Sequence, residues 1–256
     1  MDTSLMPRLH GPIVLVHGLF GFTRIQMGRI MRFDYFRGVI PALEAAGNRV
    51  LAASLSPTSS IACRADQLRS FLQKHIPDEP VHLVAHSMGG LDARYMISKL
   101  GMASSVLSLT TLGTPHRGSP FADWAAGHLA PLVAPVFDLV QASREAFDDL
   151  TAVRCKAFNE DVLDQPGVRY FSVAARHAHT WRNPTWSLSY PIVFRSEGPN
   201  DGVVSIQSAH WGESCEVWEG DHVSLINWPQ PGVKDSLADR LPHYRNLFGR
   251  LRDEGF

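Results

Sequence analysis

At 256 residues the chain is long enough for one sizeable core, with room for an inserted subdomain. Hydrophobic residues make up 45% and charged residues 19%, and 24 basic side chains against 25 acidic ones leave a net charge of −1. That balance argues against a nucleic-acid partner and against an electrostatic hold on anionic membranes, and no apolar run approaches the ~18 residues of a membrane-spanning helix.

Met1 to Arg8 lacks the basic-then-apolar layout of a secretory signal, so a cytoplasmic location is expected unless a leader has been removed. Ile13 to Val16 is a short apolar strand ended by His17-Gly18, and residues 39–47 suit a helix closed by Gly47. Arg49 to Leu55 reads as a second strand. Residues 64–75 carry Leu68, Phe71 and Leu72 on one helical side and stop before Pro77. A strand at 81–85 leads into a helix that runs to about Leu100 and is closed by Gly101, and Val106 to Leu112 is again a strand. Strands alternating with helices predict a mostly parallel α/β sheet with flanking helices.

Residues 119–165 break the rhythm. Leu129, Leu132, Val133, Val136, Phe137 and Val140 share one helical face, with Pro131 and Pro135 starting or kinking the helix. Strands resume at Arg169–Ala174 and Cys215–Trp218. The expected design is a single α/β domain over residues 1–256, interrupted by a helical lid or cap at 119–165. Three widely spaced cysteines, Cys63, Cys155 and Cys215, give no disulfide framework, and no CxxC or His-rich cluster offers a metal site. Neither a metal nor a cofactor is expected.

The most informative stretch is Val81 to Tyr95. An apolar run ends abruptly at Ser87, and a helix starts within a few residues. Ala85, Gly89 and Gly90 leave room for a tight strand-to-helix turn that would lift the Ser87 hydroxyl above the sheet, the layout of a nucleophile elbow. Ala85 stands where that turn usually has a glycine; the alternative is a serine that only caps the helix. A serine nucleophile needs a base, and the base needs an acid to orient it. In the chain order Ser, then Asp, then His, the acid is Asp201, in the turn Gly198 to Val204; the alternative is an aspartate that only shapes the turn. The base is His222, on the loop after the last strand, with His210 and His243 as competitors. Asp221 is a poor partner, because loop neighbours point apart. An oxyanion forming at the substrate needs backbone donors. Met88, directly after the serine, supplies one, and Leu19 in the loop His17 to Gly21 supplies the other, with Phe20 as fallback.

Taken together, His17-Gly18-Leu19-Phe20-Gly21-Phe22, Asp34-Tyr35-Phe36, Gly38 to Leu43, Ala85-His86-Ser87-Met88-Gly89-Gly90 and Gly113 to Ser119 resemble the bacterial triacylglycerol lipases of the Pseudomonas type. Asn200 to Val204 and Asp221-His222 continue the likeness in order. The resemblance implies an α/β-hydrolase fold with Ser87, Asp201 and His222 as triad, Leu19 and Met88 as oxyanion donors, and a lid after Ser119. In that family a calcium ion is bound two and six residues after the histidine. Those positions hold Ser224 and Trp228 here, so the calcium site is expected to be missing.

The sequence therefore reads as a serine carboxylester hydrolase, a lipase acting on acylglycerols or other apolar esters, with a lipid–water interface as a possible partner. Phe20, Leu132 and Val136 are its candidate substrate contacts. Rival readings are a short-chain esterase, thioesterase or acyltransferase on the same triad. A non-catalytic ligand receptor is the rival from another class, but such proteins often lose a triad member and all three are present here.

Overall fold

The computed structural model describes residues 5–21, 24–27, 31–128, 145–178, 184–230 and 239–256. The elements in chain order are β1 (Ile13–Val16), β2 (Arg24–Met27), β3 (Met31–Asp34), α1 (Val39–Ala45), β4 (Val50–Ala53), α2 (Ile61–His75), β5 (Val81–His86), α3 (Gly89–Lys99) and β6 (Val106–Leu112). They are followed by α4 (Pro120–His128), α5 (Glu145–Asp148), α6 (Ala152–Asp161), β7 (Arg169–Arg176), α7 (Ser189–Glu197), α8 (Ile206–Ala209), β8 (Ser214–Glu219) and α9 (Leu241–Asp253).

Strands pair in the order β4-β1-β5-β6-β7-β8, and every pairing in this sheet is parallel. The central strands β1 and β5 are buried along their whole length because both faces are covered. Ile13 and Leu15 face one layer, with Val39 and Leu43 of α1 and Tyr244, Leu247 and Phe248 of α9. Val14 and Val16 face the other, with Leu68 and Leu72 of α2 and Met96 and Ile97 of α3. Each such side chain contributes about 2 kcal/mol by leaving water, more than the whole spread of helix propensity at one position, so packing rather than propensity holds these helices.

The strand order reverses between β1 and β5: the chain leaves β1 for β4 on one side and returns to β5 on the other. Loops after these two strands diverge at the C-terminal edge of the sheet and leave the crevice in which parallel α/β proteins bind ligands. The loop after β1 starts at His17 and the loop after β5 contains Ser87.

The expected strands are all present within a residue or two of their sequence bounds. The antiparallel β2–β3 hairpin and helix α7 have no counterpart in the sequence reading. The interruption is helical, with α4, α5 and α6 inside it. Within it the chain returns to its starting point before α6: Ser119 N–H donates to Leu150 O at 3.0 Å, and a Cβ on Gly118 would lie 2.6 Å from the Ala152 nitrogen. Ala146 and Cys155 pack against Met88 and Leu91, so the insertion sits on the start of α3. The helical face from Leu129 to Val140, with Leu132 and Val136, lies outside the described residues.

Candidate active site

Ser87 is the first of the two residues between β5 and α3 and has φ 55°, a left-handed conformation that costs a non-glycine residue about 1–3 kcal/mol. The strain is held by its neighbours. Ser87 N–H donates to Leu112 O at 2.8 Å, and Ser87 O accepts from the Thr114 hydroxyl at 2.7 Å and from Gly90 N–H at 3.1 Å. Turn and helix together leave the side chain half-buried at the sheet edge. The loop after β1 presses directly on it, since a Cβ on Gly18 would lie 2.7 Å from the Ser87 Cβ.

Asp201 and His222 come together from separate loops. His222 Nδ1 lies 2.7 Å from Asp201 Oδ2, and the acid is only 1% exposed. The other carboxylate oxygen accepts from the N–H groups of Val203 at 3.0 Å and Val204 at 2.8 Å. Because the carboxylate can only accept, His222 Nδ1 carries the hydrogen and Nε2 keeps its lone pair, which is the form a general base requires. The pair adjoins the elbow through the end of β6. A Cβ on Gly113, one residue after the carbonyl that holds Ser87, would lie 3.1 Å from Asp201 Oδ2 and 3.2 Å from His222 Nδ1. The His86 and His222 rings are 4.5 Å apart. Trp186, which nothing in the sequence singled out, stands edge-on to His222 at 6.3 Å and donates from its indole to Asp221 Oδ2 at 3.0 Å.

The competitors lie elsewhere. His210 ends α8, where its carbonyl accepts from Arg117. His243 is on α9 with its ring 5.0 Å from Trp218. Asp221 Oδ1 accepts the Ser224 N–H at 3.0 Å and so shapes the turn beside His222.

The loop after β1 is fixed peptide by peptide. Gly18 O accepts from His17 Nδ1 at 2.8 Å and from Gly21 N–H at 3.1 Å. His17 Nε2 accepts from Leu55 N–H at 3.0 Å, which sets the tautomer. Burial, with the nearby Arg64 charge adding to it, pushes the His17 imidazole down to about 4, so it stays neutral in this role at neutral pH. A trans peptide points its N–H away from its carbonyl, so the Leu19 N–H is directed away from His17 and Gly21. No backbone acceptor is recorded for the Leu19 or Met88 N–H among the described residues. Phe20 N–H, by contrast, donates to Pro57 O at 2.8 Å, which removes the fallback donor. The Phe20 side chain is 54% exposed at the lip of the site, and its ring lies 5.6 Å from Phe147 of α5.

The side chains at the positions where the resemblance implies calcium ligands bring neither a carboxylate nor an amide oxygen to that ion. The Ser224 hydroxyl donates to Asp221 O at 2.6 Å, and Trp228 donates from its indole to Tyr35 O at 2.8 Å. An indole has no oxygen to offer, and calcium takes oxygen ligands. The melting temperature is accordingly expected to be the same with and without EGTA; a fall of several degrees that added calcium restores would contradict this.

The alpha/beta hydrolase fold family model matches residues 11–134. A triacylglycerol lipase from Vibrio cholerae is 37% identical over 284 residues, covering 95% of this chain and 88% of that protein. Triacylglycerol lipase 2 of Saccharomyces cerevisiae is 35% identical over 82% of this chain, which spans 66% of the yeast protein. A triacylglycerol lipase of Pseudomonas fragi is 29% identical over the full length of both chains. Among solved structures, the mature Bacillus licheniformis lipase BlEst2 superposes with a TM-score of 0.69 at 24% identity, over 94% of this chain and 95% of that one. The metagenomic carboxyl esterase MGS0156 superposes at 0.75 and 19% identity, over 99% and 77%.

Proposed function

The chain belongs to the triacylglycerol lipase family of α/β hydrolases, which are carboxylic ester hydrolases, and on that footing we propose that it cleaves acylglycerols or similar apolar esters through an acyl-enzyme on Ser87. The observation that carries the triad is the buried 2.7 Å pair of His222 and Asp201 beside a serine held at φ 55°. The Ser87 hydroxyl attacks the ester carbonyl while His222 Nε2 takes its proton. Asp201 holds the resulting imidazolium, and the N–H groups of Leu19 and Met88 receive the oxyanion. His222 then returns the proton to the leaving alcohol. Water, deprotonated by the same nitrogen, releases the acid and frees Ser87.

Support for an apolar acyl group comes from the lip of the site. Phe20 is exposed beside the oxyanion loop, its ring meets Phe147, and the insertion packs onto Met88. An apolar chain entering there exchanges water for aromatic surface. On this reading the insertion caps the approach to Ser87. Among the described residues no helix is long and apolar enough to cross a membrane.

The deciding measurement is turnover of p-nitrophenyl esters from acetate to palmitate, followed by emulsified triglyceride. Rates that rise beyond butyrate, with release of fatty acid from the emulsion, are expected. Turnover confined to acetate would make the protein a short-chain esterase, and preference for the matching thioester would make it a thioesterase.

A further inference from the structure

Two side chains that the proposed mechanism does not use, the half-buried Tyr35 and the buried His86, lie directly behind the nucleophile. Tyr35 follows the β2–β3 hairpin, and its phenol accepts the Gly18 N–H at 3.1 Å. The same oxygen is 2.7 Å from His86 Nδ1, and His86 Nε2 is 3.0 Å from the backbone carbonyl of His222. A carbonyl only accepts, so Nε2 carries the His86 hydrogen. Nδ1 is then the acceptor, and the phenol must donate to it. Every hydrogen in the chain therefore has one direction, from Gly18 N–H to Tyr35, from Tyr35 O–H to His86, and from His86 N–H to His222 O.

The ends of this chain are the two parts of the site that must keep their distance from Ser87. At one end, the peptide joining His17 to Gly18 is gripped from both sides. Its carbonyl accepts from Arg64 at 2.7 Å, and its N–H donates to Tyr35. The next peptide along carries the Leu19 N–H. At the other end stands the backbone of the base, whose own N–H donates to Asp201 O at 2.8 Å. His86 is also the residue covalently before the nucleophile.

We infer that Tyr35 and His86 are positioning residues, a directed hydrogen-bond link that sets the spacing between the oxyanion loop and the base loop around Ser87. The link needs a neutral His86 and a protonated Tyr35. Burial supplies both: it holds the imidazole well below its ordinary value, aided by the adjacent His222, and pushes the phenol up to about 12. The inference rests on the Ser87 mechanism proposed above.

The test is steady-state hydrolysis of p-nitrophenyl butyrate by Tyr35→Phe, His86→Leu and the double variant. Each rate is divided by the number of sites that a fluorophosphonate finally labels, so a fraction of unfolded protein drops out. Each single variant is expected to lower kcat per labelled site about 10- to 100-fold, the usual cost of a misplacement near 1 Å, with KM changed less than about twofold. Because both side chains act through one link, the double variant should fall no lower than the worse single variant. Should Tyr35→Phe fail to fold, His86→Leu against wild type carries the same comparison. Unchanged kcat per labelled site, or fully multiplicative losses, would overturn the link while leaving the function standing. A wild type that neither turns over ester nor takes the label would overturn both.

Discussion

Replacement of Ser87 by alanine is expected to lower ester hydrolysis by about four orders of magnitude or more while leaving the protein folded. The size follows from the chemistry: with the hydroxyl gone there is no acyl-enzyme, and only the oxyanion donors and binding remain to help water attack. The fold should survive, because the contacts that hold this turn are made by the Ser87 backbone with Leu112, Thr114 and Gly90, and alanine keeps them. A fluorophosphonate should label the wild type at Ser87 and leave the variant unlabelled, with superimposable circular dichroism melts. Labelling that persists in Ser87→Ala would remove this residue from the mechanism.

Asp92→Ala is expected to cost about 3–5 kcal/mol of stability, the cost of leaving one partner of a buried ion pair without the other. Asp92 Oδ2 meets Arg64 Nε at 2.8 Å, and both side chains are fully buried. The guanidinium also donates to Ser56 O at 2.5 Å and to His17 O at 2.7 Å. Removing the carboxylate leaves a charge that water cannot reach and that no longer has a counter-ion. A urea titration should place the variant's midpoint far below that of the wild type. The pair variant Arg64→Met with Asp92→Leu should lose less than Asp92→Ala alone, because no charge is stranded. A loss below about 1 kcal/mol for Asp92→Ala would mean that the pair adds little.

The sheet was legible because its strands are written as separate apolar runs, each closed by a turn signal. The His222–Asp201 pair and the turn at Ser87 could be located in the sequence because three residue types fall in one order, each at the end of a strand or in a Gly-Asn turn. What sequence could not supply was contact between distant positions. Tyr35 meets His86 across 51 residues, and His86 meets the His222 carbonyl across 136. No periodicity connects such pairs, and His86 was legible only as part of a motif. Helix α7 carries Pro191 inside it and leaves Phe194 exposed, so its pattern is not that of an amphipathic helix. Asp201 follows it, so its placement read correctly while the helix before it did not. The β2–β3 hairpin does alternate, Arg24 and Gln26 pairing with Asp34 and Arg32 and Ile25 and Met27 with Phe33 and Met31, but over four residues a strand, too short a run for alternation to stand out in the sequence. Phe20 had looked like a spare oxyanion donor, and only the position of Pro57 rules that out.

The return of the chain to Ser119 before α6 has a consequence for how this scaffold can change. The chain departs after Ser119 and returns at Leu150, and these residues are joined by a backbone hydrogen bond. Everything between is an excursion that starts and finishes at one point on the scaffold. Lengthening such an excursion adds only slowly to its closure entropy, about 0.6 kcal/mol for each doubling. That point on the scaffold is also tied to the acid loop: the Ser119 hydroxyl donates to Val203 O at 2.6 Å, and α4 packs on α7, the helix that leads into the Asp201 turn. A segment grafted in place of this excursion is therefore expected to leave the acid where it stands only if Ser119 and the α4–α7 contact are kept, and the stretch beyond α4 is the part open to exchange.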